Sequence, residues 1–307
     1  MEPIRPPYGR ANLTNRGIHS DARRLRDGYI KVMIDLHCHL LPGVDDGAPD
    51  LAAALAMARI AVADGIEVIA CTPHIYPGLY ENNGPAIRQA VIELQRRLVE
   101  ADIPLRLTYG ADTHLAWDLV GGLRSGRVPS LHGGRYFLLE PPHHVAPPRL
   151  EETVFDLLTA GYVPVITHPE RLGWIEDHYR TFVELVRKGA WLQVTAGSLT
   201  GRFGSTAQYW GERLLDEGWV HILATDSHSA KRRPPLLAEG QCAAERWVGK
   251  EEAVHLVGTR PKGILDNIEP DRMPKLLDSV SSVSWTQSLK VMLGRWMDQC
   301  RTVSNRQ

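Results

Sequence analysis

From residue 30 onward, short apolar runs alternate with stretches whose apolar residues recur at helical spacing. The runs at 30–36, 67–71, 105–109, 136–139, 163–167, 191–194 and 221–225 are the length of strands and are bounded by turn residues, the pattern of strands buried on both faces. Between the first two, Leu51, Leu55, Ala58 and Val62 share one helical face; Asp50 precedes them as an N-cap and Gly65 follows as a left-handed exit. Further helices are expected over 85–101, 150–160, 179–188, 207–217 and 236–248. This alternation predicts parallel βαβ units of the α/β class. Seven such strands with no Gly/Ser-rich linker between them predict one barrel domain over residues 30–270.

The flanks break the pattern. Residues 1–29 carry Arg5, Arg10, Arg16, Arg23, Arg24 and Arg26 among prolines, with little apolar periodicity. They are expected to form a disordered basic arm without a function of its own, and Met33 stands as an alternative start. In the tail at 271–307, a Ser-rich stretch precedes Trp285, Leu289, Met292 and Trp296, which fall on one stripe of an amphipathic helix. That helix is expected to pack on the barrel or on a sister subunit, which leaves a homo-oligomer open.

Composition narrows the classes. Across 307 residues, 43% hydrophobic and 23% charged positions are ordinary for a soluble protein, and a net charge of -1 gives no electrostatic reason to expect nucleic acid. The cysteines Cys38, Cys71, Cys242 and Cys300 form no Cys-x-x-Cys pair, so neither a disulfide framework nor a zinc ribbon is indicated and a reducing cytoplasm is the expected compartment. No apolar run approaches the length of a transmembrane span. Cys300 to Arg306 matches the spacing of thiol-based phosphatases but lacks a glycine-rich anion loop and a following helix, so Cys300→Ser is expected to leave turnover intact.

Candidate chemistry collects where the strands end. Asp35-Leu36-His37-Cys38-His39 ends the first, and the two-residue period points both imidazoles the same way, toward one ion, with Cys38 turned into packing. Asp45-Asp46-Gly47 follows in the next loop. Thr72-Pro73-His74, Gly110-Ala111-Asp112, Glu140-Pro141, Thr167-His168-Pro169 and Thr225-Asp226-Ser227-His228 end later strands. In a (β/α) barrel the strand C-termini share one face, where active sites are built. Singly, these residues are caps, turns or satisfied histidines; converging on one rim, they call for a cation. Mixed imidazole and carboxylate ligation suits manganese, iron or zinc.

These motifs, with Leu138-Leu139-Glu140 and His168-Pro169-Glu170-Arg171, resemble the polymerase and histidinol phosphatase (PHP) superfamily, and within it the CpsB-type bacterial tyrosine phosphatases, over roughly residues 33–270. The resemblance implies a distorted (β/α)7 barrel with three divalent metal sites, manganese foremost. His37, His39, Asp112 and Asp226 would hold one ion; Asp112, Glu140 and His168 the second; Asp46, His74 and His228 the third. The family position matching Asp112 is usually Glu, so Asp112 is a shorter bridge. Arg171 and Arg233 match arginines implied in phosphate binding. The implied partner is a phosphotyrosine protein, the tyrosine-rich tail of a kinase controlling capsule or exopolysaccharide assembly. The family's Asn-Pro near the end of the barrel is Arg260-Pro261 here.

Divalent metals lower the pKa of bound water, so a metal-bridging hydroxide is the expected nucleophile at phosphorus, with no covalent enzyme intermediate. Asp226→Ala and His39→Ala are each expected to abolish turnover through the metal. Loops carrying Tyr76, Tyr80, His143, His144 and Trp174 are expected to help build the substrate pocket. Other readings stay open on the same fold: a small-molecule phosphatase such as one acting on histidinol phosphate, a nuclease, a metal-assisted amide or lactone hydrolase, or a non-catalytic barrel.

Overall fold

The computed structural model describes residues 32–116 and 118–276. The basic arm, the C-terminal amphipathic stripe and Cys300 lie outside the described residues. The strands are β1 (Met33–Cys38), β2 (Ile66–Cys71), β3 (His74–Ile75), β4 (Arg106–Tyr109), β5 (Asp112–His114), β6 (Tyr136–Glu140), β7 (Val163–Thr167), β8 (Trp191–Thr195) and β9 (Ile222–Ala224). The helices between and after them are α1 (Leu51–Asp64), α2 (Gly84–Glu100), α3 (Leu119–Ser125), α4 (Leu150–Thr159), α5 (Ile175–Arg187), α6 (Ala196–Leu199), α7 (Gly204–Asp216), α8 (Ala238–Val254) and α9 (Arg260–Leu265).

All strand pairs are parallel, as the alternating pattern predicts. They form a three-stranded sheet, β1-β2-β4, and a six-stranded sheet, β3-β5-β6-β7-β8-β9. The division comes from two strands that break and resume. The second predicted strand pauses at Thr72-Pro73 before β3, and the third pauses at Gly110-Ala111 before β5. Gly110 suits the break, because a Cβ there would lie 2.7 Å from Leu131 Cδ2 and push that side chain aside. Backbone bonds carry the sheet across the break, from Gly110 N to Cys71 O at 3.0 Å and from Asp112 N to Thr72 O at 3.3 Å. On the far side, Asp226 N donates to His37 O at 2.8 Å and His39 N to Ser227 O at 2.9 Å, tying the end of β1 to the chain beyond β9.

The core follows the two-residue period of the strands. Ile34 and Leu36, Val68 and Ala70, Tyr136 and Leu138, Val163 and Val165, Trp191 and Ile222 come from strands of both sheets and pack into one buried cluster, joined by Ile264 of α9. The alternate residues, among them Ile69, Phe137, Leu139, Ile166, Leu192 and Leu223, face outward into a larger cluster with Met57 of α1, Leu94 of α2 and Leu214 of α7. Burial on both faces is why the strands read as unbroken apolar runs rather than alternating ones. α1 ends as its sequence indicates: Asp50 accepts from Ala53 N at 2.8 Å, and Gly65 closes the helix at φ 96°.

Arg260 has a structural role. Its side chain is fully buried, pairs with Glu252 of α8 at 2.6 Å, and donates to the carbonyls of His221, Pro274 and Lys275. It thus pins the last described segment under β9. Arg260→Ala is expected to destabilise the protein by about 3–5 kcal/mol, because Glu252 would stay buried without its partner. Chemical denaturation of both proteins measures this, and a loss below about 1 kcal/mol would contradict it.

Candidate metal centre

The strand ends bring histidines and carboxylates to one place. His37 and His39 project from the end of β1 with their Nε2 atoms 3.2 Å apart, while Cys38 between them enters the outer core. The opposite nitrogen of each ring is held: His37 Nδ1 lies 2.9 Å from Gln193 Oε1, and His39 Nδ1 lies 2.6 Å from Asp45 Oδ2. Partners of this kind fix ring orientation and aim the free nitrogens at a common centre. Asp45 reaches His39 because the loop returns against the β1 end, where Ala48 N donates to His39 O at 3.1 Å. Only glycine permits that approach, since a Cβ on Gly47 would sit 2.2 Å from His39 O.

His168 and Asp226 follow β7 and β9 in left-handed backbone conformations, at φ 34° and 49°. Such angles are uncommon outside glycine and gather at functional sites. Asp226 Oδ1 lies 3.3 Å from His37 Nε2, 3.4 Å from His39 Nε2 and 3.5 Å from His228 Nδ1. Asp112 Oδ2 lies 3.4 Å from both His37 Nε2 and His74 Nδ1. Glu140 is 3.5 Å from His74 Nδ1 through Oε2, and 3.2 Å from His143 Nε2 and 3.7 Å from His168 Nε2 through Oε1. Asp46 Oδ1 sits 3.5 Å from His74 Nε2 and 3.4 Å from His228 Nε2.

Proton affinities show what holds such a cluster together. Burial works against charge on His37, yet Asp112 and Asp226 overcome it and push its pKa up to about 9. At His74 burial is likewise outweighed, by Asp112, Glu140 and Asp46, and the pKa rises to about 10. Burial and the nearby Asp112 would raise Glu140, but hydrogen bonds from His114 and His143 hold it down at about 2. His168 is pushed the other way, well below its ordinary value, by burial and by Arg171, so its imidazole is neutral and its lone pair free for a cation. Asp112 Oδ2, His74 Nδ1 and His168 Nδ1 are buried without a hydrogen-bond partner. Carboxylates that need positive charge and unpartnered buried donors together fit divalent cations. Donor atoms lie within 4.8 Å of one another in the sets His39–Asp46–His74–His228, His37–His39–Asp112, His37–His168–Asp226, His74–Asp112–Glu140 and Glu140–His143–His168.

Beside the cluster opens a cavity of about 410 Å³. Arg171 and Arg233 line it, and both donate to Asp226 Oδ2, Arg233 at 2.5 Å. Their guanidinium carbons lie 4.4 and 5.5 Å from the centre of the Phe203 ring, so one aromatic ring contacts both. Arg233 Nε is buried without an acceptor. At the rim, Tyr76, Leu79 and Val145 are exposed, and Tyr76 stacks on His114 at 3.9 Å.

Residues 33–266 match the family described as capsular polysaccharide synthesis, CpsB/CapC. The chain belongs to the CpsB/CapC family. Among CpsB/CapC relatives, the tyrosine-protein phosphatase YwqE of Bacillus subtilis is 39% identical over 219 residues, covering 71% of this chain and 86% of that protein. The tyrosine-protein phosphatase CpsB of Streptococcus pneumoniae is 26% identical over 238 residues, covering 76% of this chain and 98% of that one. A solved structure from work on YwqE and CpsB as metal-dependent tyrosine phosphatases superposes with a TM-score of 0.74 at 37% identity, covering 76% of this chain and 95% of that one.

Every metal-site residue expected from the CpsB/CapC motifs, namely His37, His39, Asp46, His74, Asp112, Glu140, His168, Asp226 and His228, stands in this cluster, and Arg171 and Arg233 stand at its mouth. The donor sets cut across the implied groupings: Asp226 falls with His37 and His168, and His39 joins Asp46, His74 and His228. Asp112 shares donor sets with His37, His39, His74 and Glu140, while Glu140 and His168 are joined by His143 instead. Sequence reasoning left out the roles of Asp45, Gln193 and Phe203, and gave His143 a place in the pocket, which it lines, but not its contact with Glu140. Asp45 had a signal, being the first residue of Asp45-Asp46-Gly47, and Gln193 had one as a polar residue inside a buried strand. Phe203 had none, because its position under two arginines separated in sequence is a tertiary fact. Replacing Phe203 by leucine is expected to raise KM for a phosphorylated substrate roughly 5- to 30-fold, since two cation–π contacts of about 0.5–1 kcal/mol each are lost. Steady-state kinetics measures this, and an unchanged KM would refute it.

Proposed function

We propose that this chain is a divalent-metal-dependent protein-tyrosine phosphatase, acting on a phosphotyrosine protein in capsule or exopolysaccharide assembly. The observation that carries the reading is the pair of guanidinium groups, Arg171 and Arg233, lining the same cavity as residues of the imidazole–carboxylate cluster. Two adjacent guanidinium groups offer several N–H donors to one anion, and a phosphoryl group is a natural partner for them. They favour a phosphorylated substrate over a neutral amide or lactone.

His37, His39, Asp46, His74, Asp112, Glu140, His168, Asp226 and His228 would hold the ions, three of manganese in the arrangement the motifs imply. Bound divalent ions supply charge against the phosphoryl oxygens and lower the pKa of water to that of a nucleophile. Gln193 and Asp45 keep the His37 and His39 rings oriented. Arg171 and Arg233 bind the phosphate, with the Phe203 ring in contact with both guanidinium groups. The exposed Tyr76, Leu79 and Val145 offer an apolar rim to a phenyl ring. Cys38 and Cys71 take no part as nucleophiles: burial pushes both thiols above their ordinary pKa, away from the reactive thiolate.

The architecture that suits this chemistry is a distorted seven-stranded barrel over residues 30–270, with the arm and tail outside the catalytic unit. The substrate is the C-terminal tail of a bacterial tyrosine kinase, met on the cytoplasmic side. Among the described residues no helix is long and apolar enough to cross a membrane.

The test is phosphate release by metal-stripped protein, with and without manganese, from a phosphotyrosine peptide, a phosphoserine peptide and histidinol phosphate. Manganese-dependent release from phosphotyrosine alone is the expected result. Preference for histidinol phosphate would keep the site and overturn the substrate; no release from any of them would overturn phosphatase activity altogether.

A further inference from the structure

Glu140, His143 and His168 form a donor set at the edge of the cluster that Asp112 does not join. His143 Nε2 and His168 Nε2 lie 3.2 and 3.7 Å from the same oxygen, Glu140 Oε1, and their ring centres are 5.0 Å apart. Asp112 meets Glu140 in a separate donor set, with His74, and its Oδ1 accepts from Thr167 at 3.5 Å. As the first residue of β5 it carries its short carboxylate toward β1 and β3, where Oδ2 meets His37 and His74.

The loop that carries His143 is built to hold it there. Pro141 and Pro142 fix the backbone between Glu140 and His143, which restricts where the imidazole can go. The same loop is bonded to the segment following His168: Gly173 N donates to His143 O at 2.9 Å, and Trp174 Nε1 donates to Pro142 O at 2.8 Å. The two imidazoles are therefore positioned against one carboxylate by direct bonds between their own loops. A lone imidazole hydrogen-bonded to Glu140 would need no second imidazole on the same oxygen; a cation does, because it draws several donors to one point.

We propose that His143 is a metal ligand, joining Glu140 and His168 around one divalent ion. This rests on the metal-dependent reading above and assigns to the loop after β6 a role in binding the ion as well as in lining the pocket.

The experiment measures metal, not turnover. Stripped protein is loaded with excess manganese and desalted, its ion content is measured by inductively coupled plasma mass spectrometry, and its affinities by titration calorimetry. His143→Ala is expected to retain one ion fewer than the parent, or to bind it at least about tenfold more weakly, the lower bound for losing even an outer-shell partner of a metal ligand. His144→Ala, altering the adjacent loop imidazole, is expected to retain the full number. His143→Asp, which supplies an oxygen donor from the same loop position, is expected to recover much of the lost ion, which a misfolded loop would not do. Unchanged content and affinity in His143→Ala overturns the proposal, and so does loss of every ion without recovery, which marks collapse of the rim. A parent chain that itself retains no ion overturns the metal-dependent reading and this inference together, so the two failures are distinguishable.

Discussion

Asp226→Ala is expected to lower kcat/KM for a phosphotyrosine peptide by about 10³-fold or more. One buried carboxylate serves two groups of partners: Oδ1 faces His37, His39 and His228, and Oδ2 accepts from Arg171 and Arg233. Removing it takes a ligand from the metal cluster and leaves two guanidinium groups adjacent with nothing between them. Loss of one stabilising donor at a reacting centre costs roughly 10²- to 10³-fold, and loss of a group supporting metal ligation about 10- to 100-fold. His37, Arg171 and Arg233 hold Asp226 well below the ordinary carboxylate pKa despite its burial, so it acts as a full negative charge at neutral pH. Asp226→Asn preserves the shape and removes that charge, and it is expected to lose activity to the same order. Stopped assays of both variants, alongside circular dichroism to establish folding, make the check. A folded variant retaining a tenth of the parental activity would sink the assignment.

Removing metal with a chelator is expected to abolish turnover and to lower the melting temperature, with manganese restoring both. Stability has a physical source in the crowding of Asp46, Asp112, Glu140 and Asp226 around shared imidazoles. In the metal-free chain the cluster depends on protons, as the raised pKa values of His37 and His74 indicate. Cations replace those protons, and a single site saturated at a thousand times its dissociation constant stabilises the folded state by about 4 kcal/mol. Differential scanning fluorimetry with and without manganese measures the shift, and phosphate release measures the recovery. Full activity in chelated protein of verified low metal content would remove metal from the mechanism.

Much of this was readable from the chain because local pattern and local chemistry agree. The apolar runs at 136–139, 163–167 and 191–194 correspond to β6, β7 and β8 within a residue, since burial on both faces leaves a continuous signal. The helix over 179–188 starts earlier, at Ile175, because Trp174 and Ile175 pack into the core and extend α5 backwards. The strand breaks before β3 and β5 were not legible as strands: β3 and β5 are two and three residues long and exist through pairing with each other and with β6. α3 was missed for a related reason, since seven residues containing Gly121 and Gly122 carry little helical periodicity.

The candidate site divides in the same way. The His37–His39 pair, the Asp-Asp-Gly loop and the strand-end position of each ligand follow from spacing, because a two-residue period and a parallel βαβ order leave few places for those side chains to go. What spacing cannot express is which donor meets which. That Asp112 turns toward His37 and His74, that His143 takes the place beside Glu140 and His168, and that Phe203 lies beneath two arginines depend on contacts between loops far apart in the chain. Residue type and order were thus enough to specify the inventory and the rim it occupies. The partition of that inventory among ions and phosphate was decided by packing, since distances of 3 to 4 Å between side chains are set by the whole surrounding core and not by any one segment.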